Sequence, residues 1–264
     1  MSEYDTILVE RAGRVARVSF NRPEKLNSFN VTQRREFVRA AQEVNADRDI
    51  WVVVLTGAGR AFGAGADLSD TEESGFSGPE GVGDQLNAEY KPGVLAIHHA
   101  RKPWVAAVNG PCAGISYSYA MACDLVLMAE SSYLYQPFVG IGLVPDGGAT
   151  WLLPHLIGSK RAYELMALGE KVSAEKAVEW GLANRALADD DFAEASMAFA
   201  QGLSERSPLA LRYAKEALNF AAAHNLSDTI SKEAALQNIC IGSADSKEAI
   251  TAFFEKRTPT WKGQ

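Results

Sequence analysis

Cysteine is scarce in this chain of 264 residues. Cys112, Cys123 and Cys240 are the whole complement, and no two stand at a spacing that suggests a bridge or a paired metal-binding motif. The four histidines are few as well, and with the cysteines they build no zinc-ligand pattern. An odd, low cysteine count fits a reducing compartment, so a cytoplasmic protein is expected. Basic residues are in deficit: 26 Lys and Arg against 33 Asp and Glu leave a net charge of −7. That balance disfavours nucleic acid or an anionic membrane as the main partner, while leaving room for a local basic pocket that takes a phosphorylated ligand. No apolar run approaches the roughly 18 residues of a membrane span. The polar, acidic start, Met1-Ser2-Glu3-Tyr4-Asp5, predicts no signal peptide. What remains is ordinary globular composition, 47% hydrophobic and 22% charged, at a length suited to one large domain with or without an appendage.

Along the chain, Thr6 to Glu10 and Val15 to Phe20 flank Ala12-Gly13 and read as a hairpin of half-buried strands. Thr32 is placed to cap a helix running to Asn45. Ile50 to Thr56 is a continuous apolar, β-branched run, the mark of a strand covered on both faces in a parallel sheet. A glycine-rich loop, Gly57 to Leu68, leads into an acidic, Gly/Ser-rich segment at 69–84 that is expected to be mobile surface. Helix (Gln85 to His99), strand (Trp104 to Asn109), helix (Ala113 to Ala122) and strand (Asp124 to Ala129) follow, then a short strand at Tyr133 to Tyr135. The unit of strand, glycine-containing loop and helix thus recurs at Ile50, Trp104 and Leu125, which suggests a stacked α/β spiral. Beyond Ser159 the pattern is helical to the end, with Gly158, Gly169, Gly181 and Gly242 as stops.

Several motifs invite chemistry. The loop after Thr56 follows a buried strand, but Phe62 and Leu68 stand where a dinucleotide fingerprint needs its third glycine. Gly114-Ile115-Ser116-Tyr117-Ser118 resembles a nucleophile elbow, yet Ser118 replaces the second glycine and no histidine is close in sequence. His98 and His99 adjoin on a helix and point in different directions, one to the surface and one to the core. Tyr117, Tyr119, Tyr133, Tyr135, Phe138 and Trp151 fit either core packing or the lining of an acyl pocket. Two glycine-rich loops, one at a helix N-terminus, could each offer a free amide to an oxyanion. Between Phe138 and Thr150 a single acid, Asp146, lies between Pro145 and Gly147-Gly148 in apolar company. It fits either a helix N-cap or a carboxylate whose pKa is raised by desolvation for proton transfer.

Together these stretches resemble the crotonase superfamily, the enoyl-CoA hydratases and isomerases. The resemblance is carried by Asn21 to Ser28, by Leu55 to Leu68, by Val108 to Asp124, by Ser173 to Leu182 and by Ala252 to Arg257, five motifs in order over essentially the whole chain. It implies an α/β crotonase-like spiral of ββα units over residues 1–200 with a C-terminal helical trimerisation region at 201–264. It implies an acyl-CoA thioester as substrate, no separate cofactor and no metal, and a homotrimer or dimer of trimers. By position, the amides of Ala66 and Ile115 would form the oxyanion hole. Lys25, Leu26, Ala64, Asp67 and Leu68 would contact CoA, with Ser118 and Phe138 at the acyl group. The paired glutamates of typical hydratases are replaced here by Ser118 and Phe138, neither of which can take up a proton at neutral pH. Asp146 falls where several acyl-CoA isomerases of the family carry a catalytic carboxylate, and the stretch from Leu143 to Pro154 is especially similar to the phenylacetate-pathway ring-epoxide isomerases. The expected activity is therefore enoyl-CoA isomerisation with Asp146 as acid and base. The alternatives are hydration from a single carboxylate, dehalogenation or thioester hydrolysis with Asp146 as nucleophile, and a silent acyl-CoA binder.

Overall fold

The computed structural model describes residues 3–69 and 78–264. Strand β1 (Ile7–Ala12) pairs antiparallel with β2 (Val15–Phe20), as the alternation predicts. Helix α1 (Val31–Ala46) follows, and its cap is Asn30, whose side chain accepts from the Gln33 amide at 2.9 Å. Thr32 instead lies within the first turn, because the extended backbone that a cap requires occurs at Asn30. Strand β3 (Val52–Gly57) runs parallel to β2. Of the segment expected to be mobile, 70–77 lies outside the described residues. From Gly78 the chain is helical: α2 (Gly78–Gln85), one wide π turn (Leu86–Tyr90) and α3 (Lys91–His98).

The next two turns share one plan. Strand β4 (Trp104–Val108), short strand β5 (Cys112–Ala113) and helix α4 (Ile115–Ala122) are followed by β6 (Leu125–Ala129), β7 (Tyr133–Tyr135) and helix α5 (Ala149–Leu168). Each long strand joins one sheet and each short strand joins a second. The β3 turn matches this plan through a bridge from Gly63 to Cys112, and the β2 turn through a bridge from Phe29 to Ala66. The ββα spiral is thus present in four turns, one more than the recurrence of glycine loops marked. Helix α5 bends at Gly158, which has non-helical angles, so the sequence stop there is a kink inside a longer rod.

Beyond Ser159 the expectation of helix throughout needs correction. Strand β8 (Val172–Ser173) pairs with β7, and after α6 (Ala174–Trp180) strand β9 (Arg185–Leu187) extends the main sheet beside β6. Both are too short to show a period, and their partners, not their own residues, hold them extended. The main sheet is ordered β1-β2-β3-β4-β6-β9 and the small one β5-β7-β8.

Burial explains the apolar run at β3. Val53 and Leu55 join a core with Ala106, Val108, Met128 and residues of α1, α3 and α4. Val52 and Val54 join a separate core with Val105, Ala107, Leu127 and residues of α7 (Phe192–Ser204). A strand with both faces covered needs apolar side chains at every position. Helices α8 (Pro208–Ala221), α9 (Leu226–Gly242) and α10 (Ala244–Glu255) complete the chain. Lys215 seats α8 on the core, since its ammonium donates to the Ile97 carbonyl at 2.9 Å and to Asp124 at 2.8 Å.

Candidate active site

Two loops from adjacent turns of the spiral meet at a pair of glycines. The Phe62 and Gly63 amides donate to the Pro111 carbonyl, and the Ala113 amide donates back to Gly63 at 2.9 Å. This short ladder brings Gly65 and Gly114 together. A Cβ built on Gly114 would lie 3.3 Å from the Gly65 Cα, and one on Gly65 would lie 3.3 Å from the Ala113 carbonyl oxygen. Both glycines have positive φ, +94° and +58°, which other residues adopt only under strain.

The residues that follow these glycines are Ala66 and Ile115. Among the described residues no protein acceptor meets either amide. Ile115 is the first residue of α4, so its N–H points out of the helix N-terminus, where the peptide dipoles favour negative charge. A pair of free amides from two loops is the arrangement that stabilises an oxyanion.

Asp146 enters the same region from the turn before α5. The cap of α5 is Gly148, at φ +85°, and among the described residues neither carboxylate oxygen of Asp146 accepts a protein hydrogen bond. The N-cap reading of Asp146 is therefore overturned: the glycine pair carries the chain into the helix and leaves the acid side chain free. What is held is its backbone, whose carbonyl accepts from the Ser118 hydroxyl at 2.9 Å and from the Ala149 amide at 3.1 Å. Gly147 packs directly on Ile115 and Ser118, and a Cβ there would collide with the Ile115 side chain. The turn bearing the acid thus rests on the helix turn bearing the second free amide. Burial without a partner pushes the Asp146 carboxyl up from its ordinary value of 3.8 to about 6.

Phe138 begins a 3₁₀ turn (Phe138–Ile141) and is buried, and a Cβ built on Gly114 would meet its ring tip at 4.0 Å. Ser118 is buried and engaged with the Asp146 backbone, so it serves as a brace. Tyr117 and Tyr119 are fully buried, and Tyr119 packs among Phe20, Phe29 and Phe37 in the core. Tyr133 and Tyr135 are half-buried, and Trp151 is exposed beside His98 and His155. His98 is half-buried and His99 exposed, and their rings meet edge to face at 5.0 Å, so the expectation that one of them enters the core is not met.

The residues matched to CoA contact lie on two strapped loops. Arg22 donates to Asp67 at 3.0 Å, and the Asp67 amide donates to the Phe29 carbonyl. Partial burial opposes ionisation of Asp67, but hydrogen bonds from Ser69 and Arg22 outweigh it and hold the carboxyl at about 2. The Asp67 side chain is therefore committed within the protein. Lys25 and Leu68 are exposed, while Leu26, with φ +52°, and Ala64 are half-buried. Sequence reasoning passed over the braces: Asn27, which donates to the Ala58 and Ala61 carbonyls, and Ser116, which accepts from Gly65. For Ser116, a lone polar residue just after the glycine of the second loop was the available signal. A cavity of about 660 Å³ between α8, α9 and α10 is lined by none of these residues.

The family model for enoyl-CoA hydratase/isomerase matches residues 10–264. This chain belongs to that family. It is 35% identical over 264 residues, the full length of both chains, to the 1,2-epoxyphenylacetyl-CoA isomerase of Escherichia coli strain K12. It is 36% identical over 261 residues, 99% of each chain, to a Rhodobacter capsulatus protein named "Probable enoyl-CoA hydratase". Its fold is similar to the crystal structure of an enoyl-CoA hydratase from Bacillus anthracis, with a TM-score of 0.93 at 30% identity over 98% of this chain and 100% of the other. The crotonase-like spiral expected from the motifs is the fold observed.

Proposed function

We propose that this family member is an enoyl-CoA isomerase. The thioester oxygen accepts from the Ala66 and Ile115 amides, which stabilise the enolate as negative charge grows on that oxygen. Asp146 removes a proton from one acyl carbon and returns it to another, shifting the double bond. The observation that carries this reading is the Asp146 carboxyl itself, half-buried with one oxygen fully enclosed, unpartnered and raised to about 6, on a turn packed against Ile115. A base of that strength is ionised at neutral pH and still returns a proton readily. Phe138 and Ser118 support isomerisation over hydration, because a phenyl ring and a committed hydroxyl leave no second carboxylate to hold a water. CoA would lie along the strapped loops of Lys25, Leu26, Ala64, Asp67 and Leu68, with main-chain contacts where side chains are committed. No cofactor beyond the substrate's own CoA is needed for this chemistry.

We also propose a homotrimer or dimer of trimers working in the cytoplasm. Leu218, Leu226, Ile230, Ile241, Phe253 and Phe254 on α8 to α10 are each more than half exposed, and such apolar surface is covered by a partner in stable assemblies.

The test is to incubate the protein with enoyl-, dienoyl- and aryl-CoA thioesters in deuterated water, followed by chromatography and mass spectrometry. An isomerase yields a shifted alkene, with deuterium incorporated to the extent that the Asp146 proton exchanges. A mass gain of one water would support the hydratase reading that one relative's name suggests. A labelled acyl-enzyme on Asp146 would point to the nucleophilic alternative, and tight binding without any turnover to the silent binder. Full turnover by Asp146→Asn on every accepted thioester would refute the mechanism.

A further inference from the structure

We propose that Ser116 is a positioning residue that clamps the two oxyanion loops together and so fixes the direction of the Ala66 amide. The proposal rests on the reading of the Ala66 and Ile115 amides as the thioester-oxygen site.

The Ser116 side chain is fully buried, and its Oγ accepts from the Gly65 amide at 3.2 Å, joining residues 51 apart in sequence. Ser116 directly follows Ile115 in the first turn of α4. One hydrogen bond therefore ties the loop that supplies one free amide to the helical turn that supplies the other. The geometry explains why a clamp is needed. The Ala66 N–H belongs to the peptide plane whose carbonyl is that of Gly65. The Phe29 amide donates to that carbonyl at 2.8 Å, which pins one side of the plane. The other side hinges about Gly65, which has φ +94° and no Cβ, and a glycine hinge resists rotation less than any other residue. The Ser116 hydroxyl holds the far end of that hinge. It packs directly on Gly63, where a Cβ would overlap Ser116 Oγ and lie 2.9 Å from Ser116 Cβ. The hydroxyl thus occupies the space that the missing Gly63 side chain leaves open.

A glycine or alanine at 116 would keep the fold of the turn and lose the acceptor. The buried Gly65 N–H would then be unpartnered, and the peptide bearing the Ala66 donor would be free to tilt. Since oxyanion stabilisation depends on donors placed to within a few tenths of an ångström of the developing charge, a tilt costs rate and leaves ground-state binding intact.

The experiment compares wild type with Ser116→Ala and Ser116→Gly by three measurements. The melting temperature reports folding, the affinity for free CoA reports the strapped loops, and the ultraviolet absorption of enolised acetoacetyl-CoA reports the oxyanion site. We expect the enolate fraction to fall by about tenfold or more in both variants, the scale of losing part of one oxyanion donor. CoA affinity should stay close to wild type, and the melting temperature should fall by no more than the few degrees that one unpartnered buried amide costs. An unchanged enolate signal in both variants would overturn the proposal. So would a collapse of melting temperature in both, since Ser116 would then be a packing residue of the core. If wild type binds CoA but never enolises the thioester, the failure lies in the oxyanion reading itself, and the clamp falls with it.

Discussion

Replacing Asp146 by asparagine should make the protein more stable and nearly inactive at the same time. The carboxyl is raised from 3.8 to about 6 by burial alone, with no compensating hydrogen bond. Holding that charge in the folded state corresponds to about 3 kcal/mol at neutral pH. Asparagine has the same shape without the charge, but its amide also prefers partners, so a net gain of about 1–3 kcal/mol is expected. For a chain of this size that raises the melting temperature by roughly 2–8 °C. The pH dependence identifies the cause. Below the ordinary value of 3.8 the acid is neutral in both folded and unfolded chains, so wild type and variant should be equally stable. As pH rises the unfolded chain ionises first, wild type loses ground, and the gap is complete above about 6. Calorimetry of the two proteins at about pH 5 and about pH 8 should show the smaller gap at the lower pH. Turnover by the variant should fall by about 10²–10⁴, the usual contribution of a positioned acid or base. A gap of equal size at both pH values, or a variant less stable than wild type at neutral pH, would refute the claim that burial raises this carboxyl.

Further outcomes follow from the same geometry. Isomerisation by wild type should rise with pH through about 6, because the ionised carboxyl is the form that takes the first proton; a flat profile from pH 5 to 8 would count against Asp146 as the base. Gly147→Ala puts a Cβ into the Ile115 side chain, and within 2.8 Å of Ser118 Cβ, at a residue with φ +61°. It should cost about 1–3 kcal/mol in denaturant unfolding and reduce turnover, since the same turn carries Asp146. Phe138→Glu should add a hydrated product to the product mixture, detected as a 3-hydroxyacyl-CoA, if the phenyl ring is what keeps water out. Lys215→Ala removes a buried ammonium from the Ile97 carbonyl and from the partly exposed Asp124, and should destabilise by about 1–3 kcal/mol, read by chemical denaturation. Asp124→Asn in the same chain should recover part of that loss.

Much of the architecture was legible because burial writes a period into the residues. The unbroken run at β3 predicted two covered faces, and its odd and even valines do belong to different cores. Glycines at 158, 169 and 181 marked real breaks, each with positive φ. The apolar company of Asp146 predicted a raised pKa, and the structure shows burial as its cause. Strands β8 and β9 were invisible for a physical reason. Two or three residues carry no period, and they are extended only because β7 and β6 offer them hydrogen bonds. The cap of α1 was misplaced because cap choice depends on where the backbone turns extended, which the residue types at Asn30 and Thr32 do not decide between them.

The sequence by itself determined the class of fold, the loops rich in glycine and the one acid in an apolar stretch, since each is a property of neighbours along the chain. Only the tertiary structure decided that Asp146 caps nothing, that Ser118 grips its backbone, and that Ser116 joins the two glycine loops. Those facts depend on segments some 28 to 51 residues apart arriving at the same place. Local periodicity does not encode such meetings. They follow from how successive turns of the spiral stack, which brings two glycines close enough for the amides beyond them to be left free.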